Sequence, residues 1–191
     1  MRGIILAAGY SSRMGAFKPL LDLGGKPVIR RTIDALRRGG VAEIAVVTGY
    51  KRELLLPEIG DCREVFNADF HSGMFSSVCA GLADFLLGSG NIAVITPADC
   101  PLISVPAEFS DLRDSLAVPT YNNERGHPLA VPRSFLGDIL KFEGGGGLRA
   151  AIATLPISEI ATDNPGVLLD MDYPEDAERL RVLWRERYNN A

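Results

Sequence analysis

The feature that most constrains this chain is its rhythm. Apolar, β-branched runs recur along it: GIILAA (3–8), EIAVVTG (43–49), REVFN (63–67), NIAVITPAD (91–99), LAVPTY (116–121) and GVLLDMD (166–172). Segments of helical period lie between them. A strand that is apolar on both faces must be covered on both sides, which calls for parallel pairing between two helical layers. Residues 27–38, "PVIRRTIDALRR", open with Pro27, suited to a first helical position, and stop at Gly39-Gly40. Val28, Ile29, Ile33 and Leu36 share one face of that segment. Residues 74–87 and 175–187 read the same way. The pattern predicts an α/β chain folded as three layers, α/β/α, around a mostly parallel sheet, in a single domain over residues 1–191. One insertion breaks the alternation. "YNNERGHPLAVP" (121–132) reads as a turn followed by a short strand. A small β-hairpin there would lie over the carboxyl ends of the parallel strands, the edge at which open α/β sheets bind ligands.

Composition narrows the function classes. A net charge of −4 argues against a nucleic-acid binder, which would show a basic face, so any anion site must be local. The three cysteines, Cys62, Cys79 and Cys100, are odd in number and contain no CxxC. That suits reduced thiols in a cytosol better than a disulfide frame or a zinc site. Two histidines are too few for a histidine-built metal centre. The apolar runs fall short of a membrane span, and the first of them leads directly into a glycine-containing loop rather than a signal-peptide cleavage pattern. The expectation is a cytoplasmic protein with neither a membrane nor a nucleic-acid partner.

That first loop, "LAAGYSSRMGAFK" (6–18), is where chemistry enters. It is neither GxxxxGK[ST] nor GxGxxG. The physics is related nevertheless. Gly9 and Gly15 let backbone approach a ligand, exposed N–H groups and two serines can bind phosphate oxygens, and Arg13 and Lys18 add a fork of donors and a mobile point charge. At the end of another apolar run, "TPADCPL" (96–102) sets Asp99 where a carboxylate could face a central cleft as a metal ligand or cap a helix. In "LDMDYPED" (169–176) Asp170 and Asp172 alternate with apolar residues, so both would point to one side of a strand. Glu175 and Asp176 would decorate the first turn of the last helix. "HSGMFSSV" (71–78), preceded by Asn67, offers a glycine entering a helix and two hydroxyls on its first turn. His71 itself reads as a surface or hydrogen-bonded histidine.

The combination GxSSRMGxxKPLL resembles the signature of nucleotidyltransferases that move a nucleoside monophosphate from an NTP onto an acceptor phosphate. The likeness extends over nearly the whole chain and is greatest to the molybdenum cofactor cytidylyltransferases. The resemblance implies a Rossmann-like nucleotidyltransferase that takes CMP from CTP, gives it to molybdopterin and releases pyrophosphate. It implies Mg²⁺ held by Asp99 and Asp172. It makes Arg13, Lys18 and Asp99 the catalytic residues. Leu6, Ala7, Ala8, Gly9, Ser12, Arg13, Gly15, Lys18, Asn67, Gly73, Ser76 and Ser77 would be the nucleotide-binding set. Guanylyltransferase relatives usually read LAGG where this chain has Ala8, which favours cytosine. "RGHP" (125–128) and Arg149 match segments near the acceptor, placing His127 and Arg149 beside it. A transient contact with a recipient molybdoenzyme also follows by resemblance. The departure is "EGGGGLR" (143–149), where Gly145 stands in place of a family aspartate and the glycine run suggests a mobile flap. Three alternatives stay open: a GTP-using guanylyltransferase, a sugar- or polyol-phosphate nucleotidyltransferase, and a nucleotide-binding maturation factor without catalysis.

Overall fold

Five of the six apolar runs become strands of one eight-stranded sheet: β1 (Arg2–Leu6), β2 (Glu43–Thr48), β3 (Arg63–Phe66), β4 (Ile92–Pro97) and β5 (Leu116–Tyr121). The computed structural model describes residues 1–188. Three further strands complete the sheet: β6 (Glu124–Arg125), β7 (Leu129–Pro132) and β8 (Ile157–Ala161). The order is β3-β2-β1-β4-β7-β5-β6, with β8 also paired to β5. β1, β2, β3 and β4 are mutually parallel, as are β5 and β8, whereas β7 runs antiparallel between β4 and β5.

Alternation along the strands assigns side chains to two cores. Ile5, Val46 and Val94 meet Ile29, Ile33 and Leu36 of α1 (Val28–Arg38) and Leu55 and Ile59 of α2 (Arg52–Ile59). On the other face Ile4, Val47, Ala93 and Ile95 meet Val78, Leu82 and Phe85 of α3 (Met74–Leu87). The short helices α4 (Leu136–Leu140) and α5 (Gly147–Ala151) cover the remainder of that face. The helix α6 (Pro174–Tyr188) seals a third cluster with Leu180 and Trp184 against Leu23, Val28 and Leu102. Helical layers on both faces are what strands apolar on both sides require. Among the described residues no helix is long and apolar enough to cross a membrane.

Two expectations are corrected. Residues 166–172 do not form a strand: Pro165–Leu168 is a 3₁₀ turn, and the chain then runs without regular structure to α6. The turn is fixed by Asn164, whose side chain accepts from the Gly166 N–H. The hairpin does rise from the carboxyl end of β5, with Asn122 and Asn123 left-handed at its tip, but its return limb β7 enters the sheet plane rather than covering the edge.

α3 approaches the sheet closely because Gly81 has no side chain. A Cβ there would meet Ile4 Cγ2 at 2.5 Å and Val47 Cγ2 at 3.1 Å. Gly81→Val should therefore lower unfolding free energy by about 1–3 kcal/mol, the usual cost of overpacking a tight core, read as a lower urea midpoint at unchanged slope.

Candidate active site

Strand order reverses at β1. The connection after β1 leads through α1 to β2 on one side, and the chain then crosses back through α3 to β4 on the other. The loops leaving β1 and β4 consequently diverge, which opens a crevice at their carboxyl ends. A cavity of about 350 Å³ occupies that crevice, walled by the β1 loop, the end of β4, the start of α3 and the segment before α6.

The β1 loop is tied down at its root. Ala7 N–H donates to the Val47 carbonyl at 2.9 Å, and the Ala8 carbonyl accepts from Tyr50 N–H at 3.1 Å. Ser11 is left-handed, with φ 56°, and its hydroxyl accepts the Lys18 backbone N–H at 3.2 Å, which closes the loop. From that anchor the Lys18 ammonium reaches between two carboxylates. It donates to Asp99 Oδ2 at 3.0 Å and to Asp172 Oδ1 at 2.6 Å. Arg13 Nη1 takes the other Asp172 oxygen at 2.7 Å. The lysine side chain is only 12% exposed, so solvent screens this bridge weakly.

Each acid is positioned from behind. Thr32, fully buried in α1, donates its hydroxyl to the Ala98 carbonyl at 2.8 Å and so steadies the residue before Asp99. Asp176 reaches back from α6 to accept the N–H groups of Asp172 and Tyr173 at 3.1 and 2.7 Å. That is a more specific duty than complementing the helix dipole.

The electrostatics follow from these contacts. Burial pulls the Lys18 pKa down, but the hydrogen bond it donates to Asp172 and the charge of Asp99 outweigh it and hold the ammonium above the ordinary lysine range. Asp172 is held below the usual carboxylate range, first by its hydrogen bond with Lys18. Asp170 also lines the cavity, and partial loss of hydration, then the charges of Asp99 and Asp172, push it up. Half-buried His127 is pushed down by desolvation, which the Asp99 charge only partly offsets.

The opposite wall is built by the start of α3. Gly73 adopts φ 104° and ψ 178°, a conformation essentially restricted to glycine, and caps the helix. Gly73, Met74 and Ser77 line the cavity, so the positive end of the α3 dipole faces it. Buried Asn67 braces this turn by donating to Ser76 Oγ at 2.9 Å and Ser77 Oγ at 3.0 Å. Tyr10 stacks at a tilt on Tyr50 and Phe70, with centroids 5.0 and 5.4 Å away, giving the mouth an aromatic edge.

Of the residues singled out in the sequence, Leu6, Ala7, Ala8, Gly9, Arg13, Lys18, Gly73, Ser77, Asp99 and Asp172 wall the one cavity. Ser12, Gly15, Asn67, Ser76, His127 and Arg149 do not. Ser12 and Gly15 are exposed, Asn67 and Ser76 serve the α3 turn, and Arg149 is exposed on α5. Wall residues without a role assigned from sequence include Tyr10, Phe70, Met74 and Asp170, while Ser11 entered only as one of two serines able to bind phosphate oxygens. His71 belongs to the wall as well, paired to Asp69 at 3.2 Å. The pattern SS in the first loop pointed to a serine, and only the left-handed turn decides that Ser11 faces inward.

The chain is similar to known proteins over nearly its whole length. The chain is 27% identical to the molybdenum cofactor cytidylyltransferase of Escherichia coli, over 97% of this chain and 95% of that one. It is 28% identical to the probable molybdenum cofactor guanylyltransferase of Pyrococcus horikoshii, over 98% and 92%. Its fold matches that of a nucleotidyl transferase from Methanothermobacter with a TM-score of 0.84, at 22% identity over 97% and 98% of the two chains. Residues 3–160 match the family described as the MobA-like NTP transferase domain, a span that takes in the β1 loop, Asp99 and the start of α3 while leaving Asp172 beyond it. The chain belongs to the family of MobA-like NTP transferase domains.

Proposed function

We propose that this protein transfers CMP from CTP to the phosphate of molybdopterin and releases pyrophosphate, with Mg²⁺ as cofactor and in the cytoplasm. The observation that carries the reading is the meeting of Arg13 and Lys18 with Asp99 and Asp172 across one cavity at the switch point of the sheet. Arg13 and Lys18 are suited to grip the triphosphate. An oxygen of the acceptor phosphate attacks the α-phosphorus, the bond from that phosphorus to the bridging oxygen breaks, and the electron pair leaves with pyrophosphate. The two cations offset the charge that gathers on the leaving group. No residue need remove a proton, because the attacking phosphate is already ionised.

The donor set fits a magnesium ion. Asp99 and Asp172 are hard carboxylates already drawn to a single cation, the kind of site Mg²⁺ uses when substrate phosphates and water supply its other ligands. Among the described residues no group of three or more His, Cys, Asp or Glu side chains is placed to cage a metal unaided. Bound there, the ion would polarise the phosphoryl oxygens and neutralise their charge. Lining charges support the need for it: Asp99, Asp170 and Asp172 outnumber Arg13 and Lys18.

For the base, the Ala8 methyl lies in the wall against Gly49, where an added Cβ would come within 2.9 Å of it. The preference for cytosine rests on the resemblance, since guanylyltransferase relatives usually read LAGG where this chain has Ala8. The relatives divide between cytidylyl and guanylyl transfer at nearly equal identity, so the base is decided by experiment.

Pyrophosphate release should be measured with CTP, GTP, ATP and UTP, each with molybdopterin, a sugar phosphate, a polyol phosphate or no acceptor. The expected result is release with CTP and molybdopterin. Preference for GTP or another acceptor would replace the reading, and CTP binding without release under any condition would leave a non-catalytic maturation factor.

Lys18→Ala should lower kcat/KM about a hundredfold or more, the scale for removing one preorganised electrostatic contact. An unchanged rate would remove Lys18 from the mechanism.

For His127 the folded state penalises the charged form, so its contribution to stability is present above the ordinary histidine value of 6.5 and fades as pH falls below it. Urea midpoints of wild type should therefore drop more between pH 7.5 and pH 5 than those of His127→Asn. Equal drops would contradict the burial.

A further inference from the structure

We infer that Lys18 is a resident counter-ion that must leave Asp99 and Asp172 before a divalent cation can bind them, so that the metal enters together with the triphosphate and not ahead of it. This rests on the proposed nucleotidyl transfer and specifies how its site is regulated. The ammonium stands between the two carboxylates that would hold the ion, at 3.0 and 2.6 Å. Both oxygens of Asp172 are engaged, one by Lys18 and one by Arg13. A metal arriving alone would meet acids already neutralised and a like charge weakly screened by solvent.

The same lysine is built to move. Its backbone is fixed by the Ser11 hydroxyl and followed by buried Pro19, while the ammonium rides on a flexible four-carbon stem. A triphosphate offers Lys18 and Arg13 more negative partners than the aspartates do. Once they turn to it, Asp99 and Asp172 are left uncompensated beside Asp170 and take up the dication. The two ligands then strengthen each other by the same factor, as linkage requires.

The test measures Mn²⁺ binding alone, by the loss of the free-ion electron paramagnetic resonance signal. Wild type should bind Mn²⁺ weakly, and addition of a non-hydrolysable CTP analogue should tighten binding at least tenfold. Lys18→Met should bind Mn²⁺ at least tenfold more tightly than wild type without nucleotide. Lys18→Arg should not, and the gain should vanish when Asp99→Asn is added to Lys18→Met. Equal Mn²⁺ binding by wild type and Lys18→Met, or a gain that survives Asp99→Asn, would overturn the inference. So would wild-type binding as tight without nucleotide as with it, an arm that needs no variant. Wild type that still releases pyrophosphate while failing these arms would keep the proposed transfer and lose only the counter-ion. Failure of the CTP analogue to bind would instead count against the transfer, with the variants still deciding the role of Lys18.

Discussion

Carboxylates gathered at one sheet edge repel one another, and the arrangement persists because the first loop brings cations to them. Asp99 arrives from the end of β4 and Asp172 from the approach to α6, far apart in sequence, and Lys18 donates to both. The bridge holds three parts of the chain in register: the β1 loop, the β4 end and the C-terminal approach. Its energy is not an ornament of stability, since paired charges repay little beyond their desolvation. What it supplies is a poised charge distribution, in which Asp99 and Asp172 are paired with Lys18 and Arg13 without ligand and lose those partners as soon as a phosphate takes the cations.

The scaffold behind it is rigid where the site needs it to be. Thr32 uses a fully buried hydroxyl on the carbonyl before Asp99. α3 presents its positive end to the cavity, and its far end is neutralised by arginines. Arg2 donates to the Phe85 carbonyl at 3.1 Å, while Arg133 donates to Leu86, Gly88 and Gly90 at 2.7, 3.1 and 3.1 Å. Cations at a helix C-terminus complement its dipole. The helix is thus held at one end by arginines and open at the other to an anion.

Much of this was legible in the sequence, for physical reasons. Strands buried on both faces carry continuous apolar runs, so β1, β2, β4 and β5 announce themselves, and α3 falls at the bounds its period implies. The weak signals belong to edges. β8 is short and partly exposed, and Glu159 on it pairs with Arg125 at 2.7 Å, so its composition is that of a protected edge rather than a core strand. Residues 166–172 mislead because Val167 and Met171 are buried without a strand: a 3₁₀ turn and an Asn164 cap do what a ladder would have done. At the site, residue type singled out Arg13 and Lys18, and position together with the family resemblance singled out Asp99 and Asp172; all four wall the cavity. Which serine turns inward, and that Ser76 is spent on the carbonyls of Asp69 and Gly73, depends on backbone torsions that no spacing rule encodes.

The central claim is that one triphosphate lies between the cations of the β1 loop and the acids of the strand edge. A crystal structure with a non-hydrolysable CTP analogue and Mn²⁺ tests it most directly. The account predicts an anomalous manganese peak within coordination distance of Asp99 and Asp172, with the Lys18 ammonium moved onto a phosphate oxygen. A nucleotide bound elsewhere, or a manganese peak with Lys18 still seated between the two aspartates, would contradict it.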